Sequence, residues 1–228
     1  MPYLLLTLTS LFWSVNFVLS RGLHTEIPPL ALAFWRWLAA LLILCCFALR
    51  RVYLQRVFCL GNFRFLLVQG LLGVTGFNTL LYLAVQHTTA INAVLVNSCT
   101  PVLIIALSWL CYGETIASRQ GAGIVLSLLG VLLILAKGEP AALTRIAFNQ
   151  GDLLVLAAAT LWAMYSLNLR RYPEGLHPHA YLLVITLIGL GGIVPLYLIE
   201  LSIVRLGFCM NNFLVLLTLR VRLTGLHS

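Results

Sequence analysis

Charged residues are scarce in this chain of 228 residues. They make up 9% of it, against 61% hydrophobic residues, and the mean hydropathy is +1.03. An average soluble domain carries about 25% charged residues. The composition therefore excludes a soluble globular domain, and it makes the lipid bilayer the first expected partner of the chain.

The sequence also lacks the patterns that carry catalysis or metal binding. It contains no HExxH, GxSxG or GxxxxGK motif, and its six cysteines show no CxxC spacing. The net charge of +8 comes from arginines scattered through short loops, which form no basic face for nucleic acid. We expect no enzyme activity, no cofactor, no metal site and no nucleic-acid partner.

Apolar runs of nearly bilayer-spanning length follow one another along the chain. Seven are clear: Tyr3 to Ser20, Pro29 to Leu49, Phe65 to Val85, Ala90 to Tyr112, Gln120 to Ala136, Asp152 to Leu169 and Pro178 to Leu201. An eighth, Leu206 to Leu219, is short and contains Asn211 and Asn212. The pattern predicts an all-α, polytopic transmembrane helix bundle of about seven or eight helices.

Basic residues are distributed unevenly among the loops between these runs. Seven lie in the even-numbered loops, namely Arg50, Arg51, Arg56, Arg64, Arg119, Arg170 and Arg171, and four lie in the odd ones, namely Arg21, Lys137, Arg145 and Arg205. The positive-inside rule places the richer loops in the cytoplasm. The amino terminus is therefore expected in the cytoplasm, and the protein in the cell inner (plasma) membrane.

A shift of 149 residues brings similar landmarks of the chain into register. It aligns Trp13 with Trp162, and it aligns Pro29 with Pro178. We interpret residues 1–138 as a first repeat of five helices and residues 150–201 as the start of a second, with 202–228 a divergent segment. Because five is odd, the second repeat begins on the opposite side of the membrane, which makes an inverted repeat of the kind that supports alternating access.

Polar side chains inside the spans are the candidate site residues. Trp13 and Asn16 share a face of the first helix, Asn78 and Tyr82 share a face of the third, and Asn97 lies on the fourth. In hydrocarbon such groups need a partner or a water-filled cavity. They either line a central cavity or form hydrogen bonds that only hold helices together.

Arg36 is the sharpest single feature of the sequence. It lies about seven residues into the second span, where an arginine costs about 2.5 to 3.5 kcal/mol on insertion scales. It either binds an anionic substrate group or a counter-charge, or it extends toward the lipid headgroups.

Glu114 follows the fourth span at its predicted cytoplasmic end. It precedes Arg119 by five residues, across a short turn. We expect these two side chains to pair, and we favour this structural role over the alternative of proton coupling.

Several landmarks together resemble the EamA-type transporters of the drug/metabolite transporter superfamily, over roughly Tyr3 to Leu201. They are Phe12-Trp13-Ser14 with Asn16, Phe34-Trp35-Arg36, Tyr82-Leu83-Ala84, Thr88-Thr89-Ala90, Pro101, Glu114, Gln120-Gly121-Ala122-Gly123 and Gly130-Val131. The resemblance implies a carrier of two five-helix repeats that exports small metabolites, amino acids or toxic compounds. By position it implies these substrate-binding residues: Trp13, Asn16, Arg36, Asn78, Tyr82, Asn97 and Trp162.

The sequence departs from this family toward its carboxyl end. A second repeat of equal length would extend well past Ser228, and the resemblance stops near Ser202. We expect a truncated or frameshifted second repeat, whose uncovered helix faces would favour a homodimer. The alternative to a transporter is a membrane scaffold or an inactive fragment that transports nothing.

Overall fold

The computed structural model describes residues 2–23, 27–114, 117–136 and 149–224. These residues are almost entirely helical, and helices occur at all seven predicted apolar runs. The helices are α1 (Pro2–Gly22), α2 (Pro29–Leu54), α3 (Arg56–Gly61), α4 (Phe63–Gly70), α5 (Phe77–His87), α6 (Ala90–Asn97), α7 (Thr100–Tyr112), α8 (Ser118–Ala136), α9 (Gln150–Asn168) and α10 (Pro178–Thr224).

Within the described ranges, five helical segments are long and apolar enough to cross a bilayer. They are Pro29–Leu54, Phe63–His87, Ala90–Tyr112, Gln150–Arg171 and Pro178–Val204, and α1 adds a shorter apolar stretch, Tyr3–Asn16. Large apolar side chains such as Leu42, Ile43 and Phe47 face outward, as lipid-facing positions require. The prediction of an all-α, polytopic transmembrane bundle is confirmed.

The third span is one continuous helix, Phe63–His87, whose middle is not α-helical. Between α4 and α5 it passes through a π-helical segment, Leu71–Gly76. Glycines let the neighbouring helices approach this helix closely: a Cβ atom on Gly73 would lie 2.6 Å from the Tyr165 ring, and one on Gly70 would lie 2.8 Å from Ile188 Cγ2. Small residues serve this purpose where membrane helices pack tightly.

At one end of the bundle, two carboxylates tie residues 149–204 to the first five spans. Glu200 on α10 accepts hydrogen bonds from the backbone N–H groups of Leu30 (3.1 Å) and Ala31 (2.8 Å), at the start of α2. Asp152, only 3% exposed, accepts from the hydroxyl of Thr88 just after α5, and its capping box with Asn149 begins α9. A carboxylate satisfies N-terminal amide groups and suits the positive end of a helix.

Polar ties also join the two regions at the opposite end. The Gln55 side chain donates to Gly175 O and accepts from His177 N, each at 2.8 Å. Arg170 donates to Glu114 at 2.5 Å. The predicted pairing of Glu114 with Arg119 is wrong, because Arg119 lies in the first turn of α8 whereas Arg170, in the 3₁₀ turn Leu169–Arg171 that follows α9, reaches the carboxylate.

The last helix is longer than predicted. α10 runs without interruption from Pro178 to Thr224, past Pro195. The eighth apolar run, Leu206 to Leu219, therefore continues this helix and is not a separate one, since no turn separates it from Leu201. The division of the chain into two repeats remains a prediction.

Candidate functional site

A cavity of about 330 Å³ lies between the first three spans and the two helices α9 and α10. Five separate spans contribute to its wall, so its shape depends on how the first spans pack against residues 150–204. Its lining residues are Phe12, Trp13, Asn16, Arg36, Trp37, Gly73, Val74, Phe77, Asn78, Trp162, Tyr165, Leu182, Ile185 and Thr186.

Arg36 is held at this cavity by amide groups of two neighbouring helices. Its guanidinium donates to Asn16 Oδ1 on α1, and it donates to Asn78 Oδ1 on α5 at 2.7 Å. The hydroxyl of Tyr82 also donates to Asn16 Oδ1, at 3.1 Å. Arg36 is therefore turned inward to polar partners and not outward to headgroups, and the polar positions predicted on three helices converge here.

The π-helical segment fixes the orientation of Asn78. The side-chain nitrogen of Asn78 donates to Gly73 O (3.2 Å) and Val74 O (2.9 Å), both within that segment. An amide has one donating and one accepting end, so these bonds turn the Asn78 oxygen toward Arg36. Short π-helical segments within α-helices occur frequently at functional sites.

In the part of the chain that the structure describes, only neutral groups contact the positive charge of Arg36. Besides the two amides, the guanidinium lies 5.6 Å from the Trp37 ring centroid and 5.4 Å from that of Tyr82. Among the described residues, Glu114 with Arg170 is the one ion pair. Those residues contain no cluster of three metal-ligating side chains.

Three aromatic rings form a wall at one side of the cavity, which we call the aromatic partition: Trp13, Phe77 and Trp162. Their centroids lie 4.9 to 5.8 Å apart. Beyond the partition is another cavity, of about 440 Å³, which the same three rings help to line. Asn97 lines that second cavity, so the structure brings six of the seven candidate residues together and leaves Asn97 across the partition.

The predicted repeat accounts for lining residues that sequence reasoning did not single out. The 149-residue shift pairs Trp13 with Trp162, Asn16 with Tyr165, Arg36 with Ile185 and Trp37 with Thr186, and all eight line the cavity. Applying the shift to Arg36 and Trp37 would therefore have identified Ile185 and Thr186. Phe12 and Phe77 carry no comparable signal, since aromatic residues are equally common on lipid-facing surfaces.

Comparison with protein families decides the class of the molecule. The model of the EamA-like transporter family matches residues 1–136. The chain belongs to this family. It is therefore a multi-pass membrane protein of a transporter family, as the resemblance of its landmarks predicted.

Curated relatives of this EamA-like chain are themselves described as uncharacterized transporters. One from Archaeoglobus fulgidus is 35% identical over 72% of the chain and 55% of the relative. YyaM of Bacillus subtilis is 26% identical over 75% of the chain and 56% of its own length, and YvbV of the same species is 30% identical over 74% and 53%. The chain spans about half the length of the curated relatives it matches. No solved structure matches it significantly.

A larger cavity of about 600 Å³ lies at the end of the bundle, between α6, α7, α8 and the end of α9. Its charged residues are Glu114 and Arg170, which neutralise each other, and Ser108 also donates to Glu114 at 2.6 Å. These partners hold the pKa of Glu114 below its usual value, the bond from Arg170 most of all. The larger cavity of this EamA-like protein therefore holds a neutralised ion pair, whereas the Arg36 cavity holds a positive charge with no ionic partner among the described residues.

Proposed function

We propose that this protein is a secondary transporter that exports small metabolites, amino acids or toxic compounds by alternating access, with the Arg36 cavity as its substrate site. Its amino terminus lies in the cytoplasm, and the membrane is the cell inner membrane. Membership of the EamA-like family supports a role in transport.

The observation that carries this proposal is a cavity walled by both predicted repeats. α1, α2 and the third span line it from one side, and α9 and α10 line it from the other. Transporters with inverted repeats bind substrate near the bilayer midplane at the repeat interface. A cavity built from equivalent positions of two repeats, with a hydrogen-bonded arginine inside, fits that arrangement.

The polar ties at the two ends of the bundle suit alternating access. For one end to open, either the bonds of Glu200 and Asp152 or those of Gln55 and Glu114 must break. A hydrogen bond contributes about 0.5 to 1.5 kcal/mol net when both groups are neutral and about 1.5 to 3 kcal/mol when one is charged, because water replaces the lost partner. Bonds of this strength can hold one end of the bundle closed and can still break reversibly when that end opens.

The experiment compares metabolites released by cells that express the protein with those released by cells expressing the variants Arg36→Ala and Asn78→Ala. We expect both variants to lose export, measured by mass spectrometry of the medium, at unchanged membrane levels. Arg56→Ala is the matched control, since Arg56 packs on the Tyr53 ring outside the cavity. Unchanged export in both cavity variants would refute this site, and a stoichiometric copurifying protein would then favour the scaffold alternative.

The orientation has its own test. A reporter that is active only in the cytoplasm, fused after Arg171, is expected to be active, because that residue lies in the basic loop after the sixth predicted span. Activity of a periplasm-specific reporter at the same position would reverse the proposed topology and leave the cavity unaffected.

A further inference from the structure

The charge around the Arg36 cavity is unbalanced in one direction. Among the described residues that line it, Arg36 is the one that carries a charge, and each described group that binds the guanidinium is neutral. The two predicted repeats differ at this position. The 149-residue shift pairs Arg36 of the first repeat with Ile185 of the second, which is apolar. One side of the cavity is therefore cationic and the other is not.

Hydrogen-bond donors exceed acceptors at this charged side. A guanidinium carries five N–H donors, and two hydrogen bonds from Arg36 to side-chain oxygens are seen. The buried indole N–H of Trp37, a lining residue, has no acceptor among the described residues. Asn78 directs its N–H donors to backbone carbonyls and its oxygen to Arg36. A negatively charged hydrogen-bond acceptor would therefore complement the unused donors of Arg36 and Trp37.

The remainder of the wall is mostly apolar. The rings of Trp13, Phe77 and Trp162 close one side, and Leu182 and Ile185 face them from α10. A volume of about 330 Å³ is at the small end of ligand pockets. It admits a body of about a dozen non-hydrogen atoms, since a water molecule occupies about 30 Å³ of liquid.

We propose that the substrates are small organic monoanions, a carboxylate joined to an apolar or aromatic body. The carboxylate binds Arg36, whose planar fork matches its two oxygens, and the body packs against the aromatic partition. A cation would meet uncompensated like charge. The ammonium of a zwitterion would find no carboxylate among the described lining residues. This inference rests on the proposed function, and it narrows the predicted substrates to acids without an amino group.

The test measures binding to the purified chain in lipid nanodiscs by isothermal titration. Three skeletons are used, namely butyrate, phenylacetate and indole-3-acetate, each beside its neutral amide and its amine, with phenylalanine as the zwitterion. We expect the aromatic acids to bind at least tenfold more tightly than their amides, and the amines not to bind. Inorganic phosphate, a bare anion that leaves the aromatic wall unused, is expected to bind at least tenfold more weakly than phenylacetate.

Three variants separate charge from folding. Arg36→Gln should weaken phenylacetate at least tenfold and leave its amide within twofold, whereas Arg36→Lys should retain the preference for the acid. Asn78→Asp places a carboxylate beside Arg36 and should remove that preference. Arg56→Gln should change nothing. Melting temperatures of all variants identify any that fail to fold.

Two outcomes would overturn the proposed substrate class. One is binding of amides, amines or phosphate as tight as that of the acids, and the other is no binding by any of the three acids. If Arg36→Ala abolishes export of a compound that is not an acid, the class is wrong and the transport site stands. If neither binding nor export depends on Arg36, the proposed function falls as well.

Discussion

The indole rings of Trp13 and Trp162 pack edge to face, with ring centroids 5.2 Å apart and planes at 75°. These are the two residues that the 149-residue shift aligns. Equivalent positions that touch each other lie close to the axis that relates them, as in any two-fold contact. The contact is what an inverted repeat with its axis at the aromatic partition predicts.

The first prediction concerns this ring pair. Trp13→Ala and Trp162→Ala should each destabilise the protein, and the double variant should lose less than their sum, with a coupling of about 0.5 to 1.5 kcal/mol, because the edge-to-face contact is lost only once. Unfolding by SDS titration in micelles measures the coupling. As a control, Trp13→Ala combined with Trp109→Ala, an exposed residue of α7, should be additive. Strict additivity for Trp13 and Trp162 would contradict the contact.

A second prediction concerns the carboxylate that binds the start of α2. Glu200→Ala removes the acceptor for the amide groups of Leu30 and Ala31, and should cost about 1 to 2 kcal/mol of unfolding free energy. Glu200→Gln keeps one oxygen and should cost less. The same SDS titration checks both. Ser202→Ala, exposed on the same helix, should have no effect, and a loss equal to that of Glu200→Ala would argue against capping.

The third prediction concerns pH. Because Arg170 and Ser108 lower the pKa of Glu114, the carboxylate stabilises the fold above its ordinary value of 4.5, and this contribution disappears as pH falls below 4.5 through the lowered folded pKa. Glu114→Gln should therefore lower the melting temperature at pH 7 and have little effect near pH 3.

The size of this effect should be small. The two side chains are 53% and 46% exposed, and salt screens such pairs. Glu174→Gln, at the same end of the bundle and also exposed, serves as the control and should show no pH-dependent difference. An equal difference for both glutamates would mean that the pair with Arg170 contributes nothing.

The fourth prediction concerns close packing at the site. Gly73→Ala would put a methyl group 2.6 Å from the Tyr165 ring, which must move away from the cavity wall. We expect a loss of about 1 to 3 kcal/mol and weaker export. Gly61→Ala, whose added methyl meets nothing within 4 Å, should be neutral. A neutral Gly73→Ala would show that α9 does not pack against the third span as described.

The helices could be predicted from sequence because lipid leaves a membrane chain little choice. A spanning segment must be apolar and must satisfy its backbone internally, so hydropathy alone located α1, α2 and the spans that follow. Hydropathy did not indicate the π-helical segment at Leu71–Gly76. Its hydrogen bonds depend on side chains such as Asn78, and an apolar run looks the same in either helical form.

The site was partly predictable for a related reason. Arg36, Asn16 and Asn78 stand out because each is costly in hydrocarbon unless it finds a partner, and here they find one another. Asn97 obeys the same rule but lies across the aromatic partition. Helical spacing tells which residues share a face, and it does not tell which neighbouring helix that face meets.

The π-helical segment sets the rotational phase of the third span. A π turn accommodates more residues than an α turn, and each residue of an α-helix advances the face by about 100°. The part before the segment presents Leu66 to α10, and the part after it presents Asn78 and Tyr82 to Arg36. Inserting or deleting one residue there would leave a helix of nearly the same length and hydropathy, yet it would turn Asn78 away from Arg36. The contact between Asn78 and Arg36 thus depends on a count of residues that no measure of hydrophobicity records.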